Sequence, residues 1–260
     1  NQETMNPFLS LCRQEDINTN AWQGVSSAGV SWSFDTEAAE VSDDSLTSIA
    51  QPSVTVFMAR GFIPFSIEIS EDWPAFQSEM ARVLMAGYDE LLVSKFSTGS
   101  GSGEPKGILT SAAAATPTTI VTSLTDGAFG QEDVYSTWSA LPQKYQRNAA
   151  WMVNVDVMNK VRQFGESNVY HAYTVGLESG QVDNLFARPV YQNPYFPVFS
   201  STTGASNRLV VGDWSNYLIA RRTGMTVELV PQMFATANNL PSGSRGWFAY
   251  ARIGGASIND

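Results

Sequence analysis

The stretch from Asp72 to Phe96 reads DWPAFQSEMARVLMAGYDELLVSKF. Its apolar residues recur at the i, i+3, i+4 and i+7 spacing of a single helical face, which comprises Phe76, Met80, Val83, Leu84, Gly87 and Leu91. Asp72 fits the N-cap position, and Pro74 fits the first turn, where a missing N–H costs no hydrogen bond. The sequence therefore predicts one long amphipathic helix of about 35–40 Å.

A glycine-rich run from Ser97 to Gly103 follows this helix and cannot continue it, because glycine is unfavourable in a helix interior. The run resembles a phosphate-binding loop only superficially. A Walker motif requires Gly-Lys-Ser/Thr, whereas Lys106 follows Pro105 and precedes Gly107. We therefore expect a flexible turn after the helix.

The bulk composition points to a folded chain whose surface is covered by other chains. The sequence has 260 residues, of which 43% are hydrophobic and only 15% are charged, against about 25% in an ordinary soluble domain. This length corresponds to one large domain or two small ones. The net charge of −10 argues against a nucleic-acid-binding protein, which would neutralise phosphates with Lys and Arg. An acidic container for DNA remains compatible with it.

The first 30 residues form a polar segment broken by glycine, proline and asparagine, with scattered apolar anchors such as Phe8 and Trp22. We expect an irregular N-terminal arm. Such an arm is either a frayed terminus or a segment laid across a neighbouring subunit. The large apolar anchors favour the second interpretation.

Two alternating apolar runs, around Trp32 and around Val56, predict strands on either side of a long polar span. No Lys or Arg occurs from Gln14 to Ala59. The acidic residues of the span are Asp35, Glu37, Glu40, Asp43 and Asp44. A loop of this length without core residues does not fit inside a compact fold. It is either disordered or a hairpin arm laid over another molecule, and the flanking strands favour the arm.

The rest of the chain predicts a mixed α+β fold. Further strands are expected at Ala149–Val153, Leu209–Val211, Leu218–Ala220, Met225–Leu229 and Trp247–Arg252. Shorter helices are expected around Val134–Leu141 and, capped by Asn154 or Asp156, up to Phe164. The predicted strands therefore lie towards both ends of the chain.

The sequence carries little that could support catalysis or metal binding. Cys12 and His171 are the only cysteine and histidine, which excludes a zinc site and an intrachain disulfide. A hydrolase would have to use His171, but no G-x-S-x-G elbow accompanies it. The carboxylate pairs Asp43-Asp44 and Glu71-Asp72 are adjacent residues on a mobile arm and at a helix start. We therefore predict a non-enzyme without cofactors, and no run of residues is long and apolar enough for a membrane span.

Several local patterns occur in an order that resembles the HK97-type major capsid proteins of tailed phages. The patterns are Phe65–Asp72, the long helix, Gly99–Leu109, Trp151-Met152-Val153-Asn154, Arg188-Pro189-Val190, Val211–Ile219 and Phe248–Gly255. No single pattern is diagnostic, but together they cover most of residues 30–255. The resemblance implies a mature major capsid protein. It would assemble into pentamers and hexamers that form an icosahedral head shell around double-stranded DNA.

The same resemblance implies a division of the subunit into four parts. These are an N-terminal arm (1–30), an E-loop hairpin (31–64), a peripheral domain with the spine helix (65–108 and 224–250) and an axial domain (109–223 and 251–260). It also implies partners, namely a scaffolding segment, a maturation protease, a portal protein, decoration proteins and DNA bound without sequence specificity. A processed N-terminus would agree with a chain that begins at Asn1, although a trimmed expression product would look the same. The expected location is the virion shell, assembled in the host cytoplasm.

Contacts between subunits are the site that we expect. The acidic arm residues lack basic neighbours, so we predict that they meet cations of an adjacent subunit, with apolar arm residues supplying most of the strength. The predicted contact residues are Glu37, Glu40, Val41, Asp43, Asp44, Leu46 and Ile49 on the arm, and Arg60, Arg82 and Lys95 at its base and on the spine helix.

Two departures from the resembling family matter. Some of its members lock the shell through an arm lysine, but the first lysine here is Lys95, so we expect no such covalent bond. The position before Arg188, commonly Gly in such proteins, is Ala187, which we interpret as a minor local change. Alternatives remain an encapsulin-type compartment shell, a free-standing hydrolase using His171 and a monomeric binding module.

Overall fold

The computed structural model describes residues 6–27, 49–72, 76–115, 120–123, 129–164, 173–174, 184–198, 208–234 and 240–258. Its helices are α1 (Pro7–Leu11), α2 (Ile67–Asp72), α3 (Phe76–Thr98), α4 (Ile108–Ala114), α5 (Gln131–Ala140), α6 (Gln143–Gln146) and α7 (Val155–Gln163). Its strands are β1 (Arg13–Asp16), β2 (Ala21–Gln23), β3 (Ser26–Ser27), β4 (Ile49–Ala50), β5 (Ser53–Thr55), β6 (Phe57–Ser66), β7 (Ala150–Val153), β8 (Tyr173–Thr174), β9 (Asn184–Leu185), β10 (Arg188–Gln192), β11 (Leu209–Gly212), β12 (Tyr217–Val230) and β13 (Ser244–Ser257). A short 3-10 helix, Trp214–Asn216, precedes β12. The α+β class predicted from the sequence is confirmed.

Four strands form the larger sheet, in the order β1-β12-β13-β6. The central strands β12 and β13 are each 14 residues long and pair antiparallel. On one side β6 pairs antiparallel with β13, and on the other β1 pairs parallel with β12. The predicted strands Leu218–Ala220 and Met225–Leu229 belong to the single strand β12, whose register shifts between Arg221 and Thr226. The pairing of β12 with β13 therefore continues on both sides of this irregular stretch, where the sequence pattern predicted two separate strands.

Helix α3 lies on one face of this sheet. Leu84 lies 3.4 Å from the position that a Cβ on Gly61 of β6 would occupy. The predicted start is not confirmed for Asp72, which is the last residue of α2 and has a helical backbone, and Pro74 lies outside the described residues. The helix ends at Thr98, two residues beyond the predicted end.

The buried side of α3 differs from the predicted apolar face. Its buried apolar side chains are Phe76, Leu84, Leu92, Val93 and Phe96. Val83 and Leu91 are 52% and 38% exposed, and Gly87 is exposed as well, so the prediction was wrong at these three positions. The physical reason is that α1, α4 and β13 all contact this helix. Phe8 and Leu109 join Leu92, Val93 and Phe96 in one buried cluster. Tertiary neighbours, and not the period of the helix alone, decide which residues are covered.

The N-terminal segment packs into the core of its own chain, which the expectation of an irregular arm did not include. Phe8 on α1 is fully buried, and its ring centroid lies 5.8 Å from those of Phe96 and Trp214. Strand β1 then pairs with β12 from Arg13 to Asp16. Arg221 on β12 donates a hydrogen bond to the Asp16 carboxylate at 3.0 Å. The scattered apolar residues noted in the sequence are therefore intramolecular anchors in this part of the chain.

Five strands form the second sheet, in the order β11-β7-β10-β9-β8. Strand β7 is buried along its whole length, as predicted for Ala149–Val153. Helix α7 packs beside it through Val157, Met158 and Val161. The predicted cap is confirmed, since the Asn154 side-chain oxygen accepts a hydrogen bond from the Asp156 N–H at 3.1 Å.

The described part of the chain between β1 and β6 forms a narrow two-stranded ribbon. Strand β2 pairs antiparallel with β5, and β3 pairs with β4. Ala21 lies opposite Thr55, and Ser27 lies opposite Ile49, so both pairs keep one continuous register. The first strands of this ribbon, at 21–27, lie in the segment predicted as the N-terminal arm, and the strand predicted around Trp32 lies outside the described residues. Residues 57–64, predicted as part of the hairpin, instead lie in β6 of the larger sheet.

Candidate assembly surface

The glycine-rich segment after α3 is a folded clasp, which we define as residues 99–107. The N–H of Gly107 donates to the carbonyl of Gly99 at 2.9 Å. A Cβ on Gly99 would lie 2.2 Å from the Pro105 carbonyl oxygen, and one on Gly107 would lie 2.5 Å from the Gly99 nitrogen. Glycine is required at both positions because two backbone segments approach closely. The expectation of a flexible turn is therefore wrong, because backbone contacts hold this segment closed.

Electrostatics hold the clasp against the end of α3. One oxygen of Glu104 accepts the N–H of Ser100 at 2.9 Å, and the other lies 2.5 Å from the Lys95 ammonium. The hydrogen bond from Lys95, followed by that from Ser100, lowers the pKa of Glu104 from 4.5 to about 2. Glu104 therefore stays ionised, and Lys95 already has a partner within its own chain.

The clasp also ties α3 to the larger sheet. The N–H of Lys106 donates to the Gly255 carbonyl on β13 at 2.8 Å. The hydroxyl of Tyr217 on β12 donates to the Lys106 carbonyl at 2.7 Å. Burial raises the pKa of Tyr217 well above its usual value, so this hydroxyl keeps its proton and acts as the donor.

A buried asparagine links α3 to the second sheet. Asn193 is fully buried, and its side-chain nitrogen donates to the Ser97 hydroxyl at 2.8 Å. Its N–H donates to the Val153 carbonyl at 2.9 Å, and its side-chain oxygen accepts the Tyr195 N–H at 3.0 Å. Because an unpaired buried amide would cost about 1–3 kcal/mol, this set of bonds holds the second sheet against α3.

Most of the predicted arm contacts lie outside the described residues. This applies to Glu37, Glu40, Val41, Asp43, Asp44 and Leu46. Ile49 lies in β4, where its backbone is paired with Ser27 at the base of the ribbon. The described residues therefore reach only the base of the ribbon, and the contacts of the arm stay a prediction.

The three predicted cations do not share one surface. Arg60 alternates on β6 with Gly61, whose own face is turned to Leu84 of α3, so the Arg60 side chain points away from that helix. Its Nε donates to the Met58 sulfur at 3.1 Å. Arg82 is exposed on α3, and Lys95 is bound to Glu104.

An exposed face of the larger sheet was not singled out in the sequence. We define the outer sheet face by Met58, Arg60, Phe62 and Pro64 of β6 with Phe248, Tyr250 and Arg252 of β13. Within the described part of the chain, Met58 and Phe62 are 41% and 44% exposed. The strict alternation of exposed and half-buried residues along β6 is the signal that could have found it.

The described residues contain little chemistry of the catalytic kind. They include no group of three or more His, Cys, Asp or Glu that could hold a metal ion. His171 lies outside the described residues. Burial raises the pKa of Cys12 above its usual value, which keeps the thiol protonated. Among the described helices, none is long and apolar enough to cross a membrane.

The fold is that of phage-type capsid shell subunits. The capsid of an empty GTA particle, computed with C5 symmetry, aligns with a TM-score of 0.78 and 18% identity over 100% of this chain and 87% of that one. Structures of Microbacterium phage Oxtober96 and Mycobacterium phage Adephagia align with TM-scores of 0.70 and 0.69, at 12% and 14% identity. Each covers 97% of this chain and 84% of the phage chain. No curated protein matches the sequence significantly.

The chain belongs to the phage capsid family, whose sequence profile matches residues 2–260. It is a non-enzymatic structural protein of the capsid shell, with an HK97-like fold. The resemblance drawn from the sequence is thereby confirmed.

Proposed function

We propose that this protein is the major subunit of an icosahedral head, assembling through pentamers and hexamers into a shell around the double-stranded DNA of a tailed phage. The observation that carries the proposal is the family match over residues 2–260. The likeness of the fold along the whole chain to subunits of a capsid with C5 symmetry supports it. The small share of charged residues also supports it, because contacts between copies remove surface from water.

The proposed subunit keeps the four parts implied by the sequence: an arm (1–30), an E-loop (31–64), a peripheral domain (65–108 and 224–250) and an axial domain (109–223 and 251–260). Two observations refine this division. Residues 6–16 are anchored in the core through Phe8 and β1, and β12 and β13 run across the proposed boundaries at 224 and 250. The arm that reaches a neighbour would then be the segment beyond the ribbon formed by β2–β5.

We further propose that this acidic segment contacts an adjacent copy. Glu37, Glu40, Asp43 and Asp44 would set its position against cations, while Val41, Leu46 and Ile49 would supply apolar burial. Arg60 and Arg82 are the better candidates because both are exposed. Lys95 is the weaker candidate, since it already binds Glu104.

The proposed partners are further copies of the chain, a scaffolding segment, a maturation protease, a portal protein and decoration proteins, with assembly in the host cytoplasm. Packaged DNA would be held without sequence-specific contacts, as the net charge of −10 favours. An encapsulin-type compartment is the alternative shell, and it would enclose protein cargo instead of a genome.

Negative staining and sedimentation of the purified chain test the proposal. We expect closed particles, and boiling them in detergent should release a single band near 28.3 kDa, because the first lysine is Lys95. A stable monomer under all assembly conditions would contradict shell formation. A ladder of covalent multimers would contradict only the absence of a cross-link.

A further inference from the structure

One row of residues runs along α3 at intervals of four. We define the α3 row as Glu79, Val83, Gly87, Leu91 and Lys95. Residues four apart form the ridges by which helices pack against each other. Val83 and Leu91 are 52% and 38% exposed within the described chain. The row therefore has an apolar centre and a charge of opposite sign at each end.

Within the described residues, no contact explains the glycine at position 87, the middle of the row. Apart from proline, glycine is the least favourable residue in a helix interior. A Cβ at this position would meet no described atom within 4 Å, and the backbone has no positive φ angle, so neither crowding nor backbone geometry in the described part of the chain requires glycine. A missing side chain on an exposed helix instead allows a second backbone to approach closely.

We propose that α3 packs against α3 of a second copy of this chain, across a two-fold axis at Gly87, with the helix axes crossed at about 50° from antiparallel so that the two rows lie along each other. The inference rests on the proposed self-assembly and adds a specific contact to it. Under this symmetry Val83 meets Leu91 of the partner subunit, and Glu79 meets Lys95 of the partner subunit. The row is therefore complementary to itself in both shape and charge, which favours a second copy over an unrelated partner.

The ion pair between Lys95 and Glu104 is compatible with this packing. The Lys95 side chain is 37% exposed, and an ammonium group has three donors, of which Glu104 uses one. Glu79 of the partner subunit can therefore approach without breaking the clasp.

A single cysteine tests the geometry, because only residues on a two-fold axis meet their own copies. Gly87→Cys should give mostly disulfide-linked dimers when assembled particles are treated with a mild oxidant. Wild type controls for the buried Cys12, and Ser102→Cys at the exposed tip of the clasp is the matched control; both should remain monomeric on the gel. Assembled Gly87→Cys particles without dimers would overturn the inference and leave the proposed shell function intact.

Gly87→Ala provides a second test that does not depend on oxidation. Alanine should raise the melting temperature of the unassembled subunit by about 2–4 °C through helix propensity, while lowering particle yield several-fold because the added methyl keeps the helices apart. Gly224→Ala on β12, where a Cβ also meets nothing described within 4 Å, is the control and should assemble normally. Wild-type yield from Gly87→Ala would overturn the proposed contact. Failure of wild type and control to form particles would instead contradict the proposed function.

Discussion

Phe186 and Ala187 occupy the turn between β9 and β10 with φ angles of 51° and 58°. This is the left-handed region, which glycine and asparagine adopt most easily. The Phe186 ring lies 4.9 Å from the Tyr135 ring and 5.9 Å from the Trp138 ring between centroids. These aromatic contacts offset the backbone strain at Phe186. The alanine methyl of the exposed Ala187 has no equivalent compensation in the described contacts, so glycine would be more favourable than alanine at this position.

Ala187→Gly should relieve the strain of the left-handed backbone, but it also gives the unfolded chain more conformational entropy. The net result should be a stabilisation of the subunit by about 0.5–1 kcal/mol. Chemical denaturation of the unassembled subunit measures the free energy of unfolding. Ala113→Gly in α4 is the matched control and should destabilise by a similar amount, because its backbone is helical. A decrease in stability for Ala187→Gly would contradict the role of the positive φ angle.

Glu104 makes the stability of the subunit depend on pH. Its pKa is lowered from 4.5 to about 2, so the folded state binds the proton less well than the unfolded state does. The stabilisation is fully present above about pH 4.5 and is lost as the pH falls towards 2. Because the pair is partly exposed, we expect about 0.5–1 kcal/mol at neutral pH.

Glu104→Gln should remove this contribution, so its free energy of unfolding should differ from wild type at pH 7 and converge with it near pH 2. Urea titrations at several pH values measure the difference. Lys95→Met removes the other partner and should show the same convergence. A gap between wild type and Glu104→Gln that is equal at both ends of the pH range would show that the contribution does not come from the ionised carboxylate.

At the scale of elements, backbone pairing and charged side chains have different roles in the ribbon. The ribbon is held at its base by backbone pairing from Ala21 to Thr55 and from Ser27 to Ile49. Backbone pairing sets its course but gives no preference for a partner. We expect the acidic residues beyond it to provide that preference, because each weak ion pair is repeated in every copy of a shell.

Reversing Asp43 and Asp44 to Lys should lower particle yield, and reversing Arg60 and Arg82 to Glu in the same chain should partly restore it. Yield measured against salt concentration separates charge from folding, since salt screens exposed pairs. Glu132→Lys on the exposed side of α5 is a control for charge reversal in general. Normal assembly of the double Lys variant at low salt would show that the acidic span is a solvated loop.

At the scale of the whole molecule, two sheets and one long helix are joined through few polar contacts. Asn193 connects the second sheet to Ser97 of α3, and Lys106 connects the clasp to β13. Trp214 adds a hydrogen bond to the Ala150 carbonyl at 2.9 Å. Such contacts orient the sheets relative to each other, while the apolar cluster around Phe8 and Phe96 supplies burial. A subunit of this kind can present the outer sheet face and the α3 row in a fixed relation.

The sequence by itself determined the class of the fold, the long helix, the buried strand β7 and the cap of α7. It did so because hydrophobic period and capping chemistry are local properties. Its family resemblance was sufficient to predict a capsid protein, since the order of the patterns survives when no single pattern is diagnostic.

Only the tertiary structure decided which sides of those elements are covered. Val83, Gly87 and Leu91 have the spacing of a core face, yet they remain exposed because neighbouring elements occupy the other side of α3. The glycine run resembles a flexible turn, yet Gly99 and Gly107 lie in a clasp because two backbone segments meet there. Phe8 resembles an anchor for another subunit, yet it fills the core of its own chain. Burial and close approach depend on residues distant in sequence, and local patterns contain no information about them.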